Sequence, residues 1–439
     1  MGRPTPPASA EPLDPYIPGH GNRGYTVERY ELDLEYKVPS NRLSGTAVVH
    51  AVAAQSAPTV TLDLGPALSP SKVSVSGSRR AKFTHRGGKL VVTPQTPLTA
   101  GTSFTVTVTY AGNPSPIAGQ WGEVGWEELT DGVIVASQPN GASSWFPCDD
   151  HPSSKAAYRI SITTDSPYHV ISNGTLLHTR VRSSRTTWTY HQPEPMATYL
   201  ATVQIGLYEK RRLCDTPVPV DAIAPPRLRA LIDHDFGRQQ QMMSAFVERF
   251  GPYPYSSYGV VITDDDLEIP VEAQTLSVFG ANHCDGRRGY ERLVAHELAH
   301  QWFGNSLTIG RWQDIWLHEG FACYAEWLWS EASGSSSAHQ LATRTRARLA
   351  GLPQDLLLGD PGPADMFDDR VYKRGALTLH ALRRTVGDEP FFTLLREWTA
   401  GHRHSVVATS DFVELAERHG VDPGFFGPWL EQTALPQLP

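Results

Sequence analysis

The sequence predicts an α+β protein whose first half is an antiparallel β domain and whose second half is mainly helical. Three observations carry this reading. Period-two alternation dominates from about Tyr25 to about Tyr208; a proline-rich stretch interrupts the pattern near Asp215–Pro226; and apolar residues recur at three- and four-residue spacing from Phe236 onward.

Alternation is clearest in Tyr30-Glu31-Leu32-Asp33-Leu34-Glu35-Tyr36, Thr59-Val60-Thr61-Leu62-Asp63-Leu64 and Phe104-Thr105-Val106-Thr107-Val108-Thr109-Tyr110. Each run would bury one face of a strand. Turn residues such as Gly87-Gly88 and Ser172-Asn173-Gly174 punctuate them at short intervals, which favours an antiparallel sandwich or saddle over parallel units. Pro217, Pro219, Pro225 and Pro226 then suit a linker. Helical spacing follows over 236–250, 290–303, 321–333, 338–349, 372–386 and 390–399. The organisation expected is a flexible segment at residues 1–22, an all-β domain at 23–215 and a second domain at 216–439.

With 439 residues, 40% hydrophobic and 19% charged, the chain can bury a core in each domain without disulfides. A net charge of -8 with no basic run argues against nucleic acid and against an anionic membrane surface. Cys148, Cys214, Cys284 and Cys323 form no CxxC pair and read as packed thiols. No stretch approaches about 18 apolar residues, and residues 1–22 contain no apolar run resembling a signal peptide, so a cytoplasmic protein is expected.

The chemistry concentrates in His296-Glu297-Leu298-Ala299-His300, an HExxH pattern within a helical stretch. Residues four apart on a helix share a face, so both imidazoles can reach one cation while Glu297 lies beside its water. Glu319 follows His300 after 18 intervening residues and is flanked by apolar Trp316, Leu317, Phe321 and Ala322, which would enclose it. A third ligand from a second helix leaves one position on a Zn2+ ion for water, as a catalytic site requires. One Zn2+ per chain is expected.

This HExxH, the 18-residue gap and the Glu resemble the gluzincin metallo-aminopeptidases of peptidase family M1, which include alanyl aminopeptidase and leukotriene hydrolase. Trp145-Phe146-Pro147-Cys148-Asp149-Asp150 with Lys155-Ala156, Met196-Ala197-Thr198-Tyr199-Leu200 and Phe425-Phe426-Gly427-Pro428-Trp429-Leu430 are similar to further family segments. The resemblance covers nearly the whole chain. It implies a thermolysin-like fold for the second domain and a hydrolase that removes the first residue of a peptide with a free N-terminus. An epoxide hydrolase using the same zinc site, or a peptidase dedicated to one specialised peptide, is the alternative.

By position, the resemblance implies further roles. Tyr372, in Val371-Tyr372-Lys373-Arg374-Gly375-Ala376, would donate to the oxyanion, and Glu326 would orient a ligand imidazole. Glu297 would act as general base. Glu272, in Ile269-Pro270-Val271-Glu272-Ala273-Gln274, would pair with the substrate α-amine, although its neighbours depart from the family's Gly-x-Met-Glu-Asn. Gln138 would supply a second amine contact, with Asn140 as its rival. The family's further helical region is not seen in this sequence. That suggests a cleft that is either more open or closed by a second copy in a homodimer.

Overall fold

The computed structural model describes residues 13–78 and 80–439. The alternating runs build a seven-stranded sheet in the order Thr175–Arg182, Arg185–Ala197, Lys155–Asp165, Tyr25–Lys37, Arg42–Ala53, Ser103–Gly112, Leu68–Val75. Every neighbouring pair is antiparallel except Tyr25–Lys37 against Lys155–Asp165, which run parallel with Tyr30 opposite Tyr158. Tyr30, Leu32, Leu34 and Tyr36 all point into the core, as period-two alternation demands. A five-stranded sheet (His169–Ser172, Val203–Gly206, Gly132–Ala136, Gly122–Leu129, Ile117–Gly119) and a three-stranded one complete this β-rich half.

The second half carries helices α1 (Arg229–Asp235), α2 (Gln239–Phe250), α3 (Glu291–Ala299), α4 (Trp316–Ala332), α5 (Ala338–Leu349), α6 (Asp369–Val386), α7 (Asp388–Gly401), α8 (Thr409–Arg418) and α9 (Gly427–Leu430). They pack beside a five-stranded sheet ordered Glu209–Cys214, Val220–Ala224, Tyr258–Ile262, Leu276–Phe279, Val271–Ala273. Val271–Ala273 is one of its two edge strands, antiparallel to Leu276–Phe279. No helix among the described residues is long and apolar enough to cross a membrane.

Two expectations need correction. The linker at Asp215–Pro226 contains an interior strand: Val220–Ala224 is buried at every position and hydrogen-bonded on both sides, to Glu209–Cys214 and Tyr258–Ile262. The prolines lie outside the strand, where a missing N–H costs nothing, and a strand covered on both faces shows no alternation to betray it. Nor is the start of the chain loose where it is described. Residues 1–12 lie outside the described residues, but Asp14, Tyr16 and Ile17 are buried, and the Asp14 carboxylate accepts the N–H of Tyr16 (2.8 Å) and of Trp312 (2.7 Å). The four cysteines are free and buried.

One apolar core runs from Tyr30 and Phe146 through Tyr199 and Trp312 to Trp302 and Leu382, so both halves share it. Polar ties reinforce the junction. Lys155 Nζ donates to the carbonyls of Asn305 (3.0 Å) and Ser306 (2.7 Å) and to Thr308 Oγ1 (2.9 Å), holding the loop after α3 to the large sheet.

The segment that follows Gln138 is pinned by Asp150, which accepts from Ser143 N (3.3 Å) and Thr198 Oγ1 (3.0 Å). Burial, reinforced by Asp63, pushes its carboxyl from 3.8 up to about 7. The folded chain therefore binds a proton here that the unfolded chain has lost, and this stabilisation is lost as pH rises through 7. Asp150→Asn cannot ionise, so its stability relative to wild type is expected to rise between about pH 4 and about pH 7 and to level off above. Urea denaturation of both proteins across that range checks this, and a pH-independent difference would show that Asp150 stays ionised throughout.

Candidate metal centre

Helix α3 presents His296, its C-cap residue His300 continues the same helical face, and α4 brings Glu319 against them. His296 Nε2 lies 3.3 Å and His300 Nε2 3.5 Å from Glu319 Oε2. The three potential ligand atoms all fall within 4.8 Å of one another, and all three residues are buried. What the other ring nitrogens do fixes the tautomers. His296 Nδ1–H donates to Glu326 Oε1 at 2.9 Å and His300 Nδ1–H to the Phe303 carbonyl at 2.9 Å. Both Nε2 atoms are thereby left to face the common point.

Two neutral nitrogens and a carboxylate oxygen suit a divalent cation with an open position. Electrostatics agree. Burial by itself would hold the His296 and His300 rings neutral, but hydrogen bonds and the charges of Glu319 and Glu326 raise His296 to about 9, and Glu319 above all raises His300 to about 10. Burial would likewise protonate Glu319, yet His300, reinforced by His296, holds it well below the usual carboxylate range. In the bare chain, then, imidazolium protons balance the charge that a cation would balance, and metal and protons compete for the same atoms.

Glu297 is buried and raised in pKa by that burial, and its Oε2 has no hydrogen-bond partner among the described residues. A buried carboxylate oxygen without a partner is costly unless something that comes and goes satisfies it. Glu272 sits across the site on the edge strand, and Gln138 Nε2 donates to its Oε1 at 2.6 Å. Burial pushes Glu272 up to about 7, with His300 opposing. Asn140 instead faces His20, Nδ2 to Nε2 at 2.9 Å, so of the two rivals Gln138 is the one brought to Glu272.

Tyr372 reaches the site because two glycines let α4 and α6 approach closely. A Cβ on Gly320 would sit 2.8 Å from the Gly375 Cα, and one on Gly375 would sit 2.7 Å from the Gly320 Cα, closer than such atoms tolerate. The Tyr372 ring lies 6.1 Å from that of His296 and nearly parallel to it. Burial, followed by Glu319, pushes its phenol well up, so it is a hydrogen-bond donor at neutral pH.

The geometry is shared with known proteins. The description "Peptidase family M1 domain" matches residues 235–422 and "Peptidase M1 N-terminal domain" residues 26–200. The crystal structure of an M1 zinc metallopeptidase from Deinococcus radiodurans superposes with a TM-score of 0.89 at 30% identity, covering 98% of this chain and 99% of that one. The chain belongs to peptidase family M1. A mutant of the Deinococcus protein has also been solved with a Tyr-Ser-Ala substrate. Among longer relatives, this M1 chain is 24% identical over 343 residues to leucyl aminopeptidase of Saccharolobus solfataricus, covering 70% of this chain and 42% of that protein. It is 26% identical over 344 residues to endoplasmic reticulum aminopeptidase 1 of Homo sapiens, covering 72% and 36%. It thus spans about two fifths of the length of these relatives.

Sequence reasoning for this M1 chain missed the residues that hold Glu326. Its Oε2 lies 3.4 Å from Arg292 Nη1 and 3.9 Å from Lys373 Nζ. Arg292 is four residues before His296 and lies in none of the motifs, whereas Lys373 adjoins Tyr372 within the family-like segment 371–376 but was given no role there. Because Glu326 alone among the described residues accepts from His296 Nδ1, Glu326→Ala should weaken Zn2+ binding about 10- to 100-fold. Competition against a chromophoric chelator measures this, and unchanged affinity would mean that the ring is oriented by packing.

Proposed function

We propose that the chain is a zinc-dependent aminopeptidase that removes the N-terminal residue from peptides, with His296, His300 and Glu319 as ligands to one Zn2+. The observation that carries this reading is the juxtaposition of a three-ligand site and a partnerless Glu297 oxygen with a buried carboxylate, Glu272, held toward them by Gln138. The Deinococcus structure with Tyr-Ser-Ala supports a peptide substrate.

When bound, zinc supplies a Lewis acid that polarises the scissile carbonyl and acidifies a water. The chain's own residues do the rest. Glu272 and the Gln138 carboxamide oxygen receive the substrate's free ammonium group, so the carbonyl one residue along falls at the ligand cluster. Glu297 Oε2 takes a proton from the attacking water and passes it to the departing amine, a transfer that its burial-raised pKa favours. Tyr372 Oη donates to the carbonyl oxygen as negative charge builds on it, an interaction stronger in the transition state than in the ground state.

A panel of aminoacyl fluorogenic substrates, with N-acetylated and lipid-epoxide controls and with or without chelator, tests the reading. Turnover of free-amine substrates that stops on chelation is expected. Equal cleavage of acetylated substrates, or turnover of the epoxide alone, would overturn it. Glu297→Gln is expected to retain its zinc while kcat falls about 10³-fold or more, because it loses the base and no ligand. Tyr372→Phe should lower kcat about 10²- to 10³-fold with little change in KM. Metal analysis beside steady-state kinetics separates these effects, and normal rates in either variant would refute its assignment.

A further inference from the structure

Glu272 is useful only at a fixed distance from the ligand cluster, yet it lies on the three-residue edge strand Val271–Ala273, which pairs with only one neighbour. The turn that follows it, Gln274-Thr275, is conformationally costly, because Thr275 is a β-branched residue at φ +73°. Such a turn persists only when its surroundings hold it. The principal holder is Gln301, the residue next to the ligand His300.

The Gln301 side chain is fully buried and grips the turn at two points. Its Oε1 accepts Thr275 N–H at 2.9 Å, and its Nε2 donates to the Ala273 carbonyl at 3.0 Å. Asn305 Nδ2 donates to that same carbonyl at 2.9 Å, and Tyr253 Oη donates to Gln301 Oε1 at 3.4 Å. The β-rich half also braces the turn, through Asn173 Nδ2 to the Gln274 carbonyl (2.8 Å) and Gly174 N–H to Thr275 Oγ1 (2.7 Å). The carboxamide therefore spans the peptide groups on either side of Gln274, much as a neighbouring strand would. It ties the turn that ends α3, next to His300, to the strand of Glu272.

We propose that Gln301 is the positioning residue that sets the distance between Glu272 and His300, and with it the register in which a free N-terminus is held. This rests on the aminopeptidase reading. A carboxamide is the suitable group, since it offers one acceptor and one donor in a plane, as the two peptide groups require. Gln301 touches neither substrate nor metal; it acts through the strand.

Gln301→Met keeps the volume and removes both hydrogen bonds. With zinc content unchanged, it is expected to raise KM for a free aminoacyl anilide about 10- to 100-fold. The ratio of cleavage of that substrate to its N-acetylated analogue should fall by a similar factor, while kcat changes much less. Gln301→Glu keeps the acceptor for Thr275 but sets a carboxylate against the Ala273 carbonyl, and should fall between Met and wild type. A folded, zinc-loaded Gln301→Met protein whose KM and selectivity ratio stay within about twofold of wild type overturns the proposal, even if its melting temperature drops. Should that variant not fold, unchanged KM and ratio in Gln301→Glu overturn it equally. Wild-type protein with no preference for the free amine refutes the aminopeptidase reading instead, whatever Gln301 does.

Discussion

The site depends on the commitment of two imidazole hydrogens. His296 Nδ1–H goes to Glu326 and His300 Nδ1–H to the Phe303 carbonyl, which leaves both Nε2 atoms facing Glu319. Had either ring spent its Nε2 on a neighbour, the helical i, i+4 spacing would still put the histidines on one face without making a cation site. Glu326 is in turn drawn toward Arg292 and Lys373, so the orientation of one ring is backed by two cations.

That arrangement concentrates negative charge in a buried space. Glu272, Glu297, Glu319 and Glu326 are all buried within the same few helical turns and one edge strand. Burial pushes Glu272 to about 7 and raises Glu297, whereas Glu319 and Glu326 are held low by the imidazoles beside them. Four acids of one residue type are thus divided by environment into two that face the histidines as anions and two that are easily protonated. This is the division that proton transfer beside a cation needs.

What the sequence made legible follows the same physics. HExxH and the helices α4, α5 and α6 were readable because amphipathic spacing is a local signal, and Ala338–Leu349 appears with the boundaries its periodicity predicts. The burial of Glu319 was readable from its apolar neighbours. The strand Val220–Ala224 was not, because a strand covered on both faces loses its alternation, and the prolines that end it resemble those of a linker. The anchoring of Asp14 and Tyr16 was invisible for another reason: their partners Trp312 and Asp360 lie some 300 residues away, and no local pattern encodes such contacts. Glu272 was singled out through a family segment rather than through any period, and the strand that carries it has three residues.

The close contact of Gly320 with Gly375 shows how sequence, packing and chemistry join at one point. Each glycine lies near a site residue in sequence, Gly320 directly following Glu319 and Gly375 lying three after Tyr372. Neither would be chosen for helix propensity, since glycine costs about 1 kcal/mol relative to alanine in a helix interior. The cost is offset by the approach of α4 and α6 that the missing side chains permit, which carries the Tyr372 phenol to the ring of His296. A methyl at either position would push apart the two helices that bring Glu319 and Tyr372 to the same small volume. The weakest helix formers in α4 and α6 therefore stand where the backbones of those helices meet.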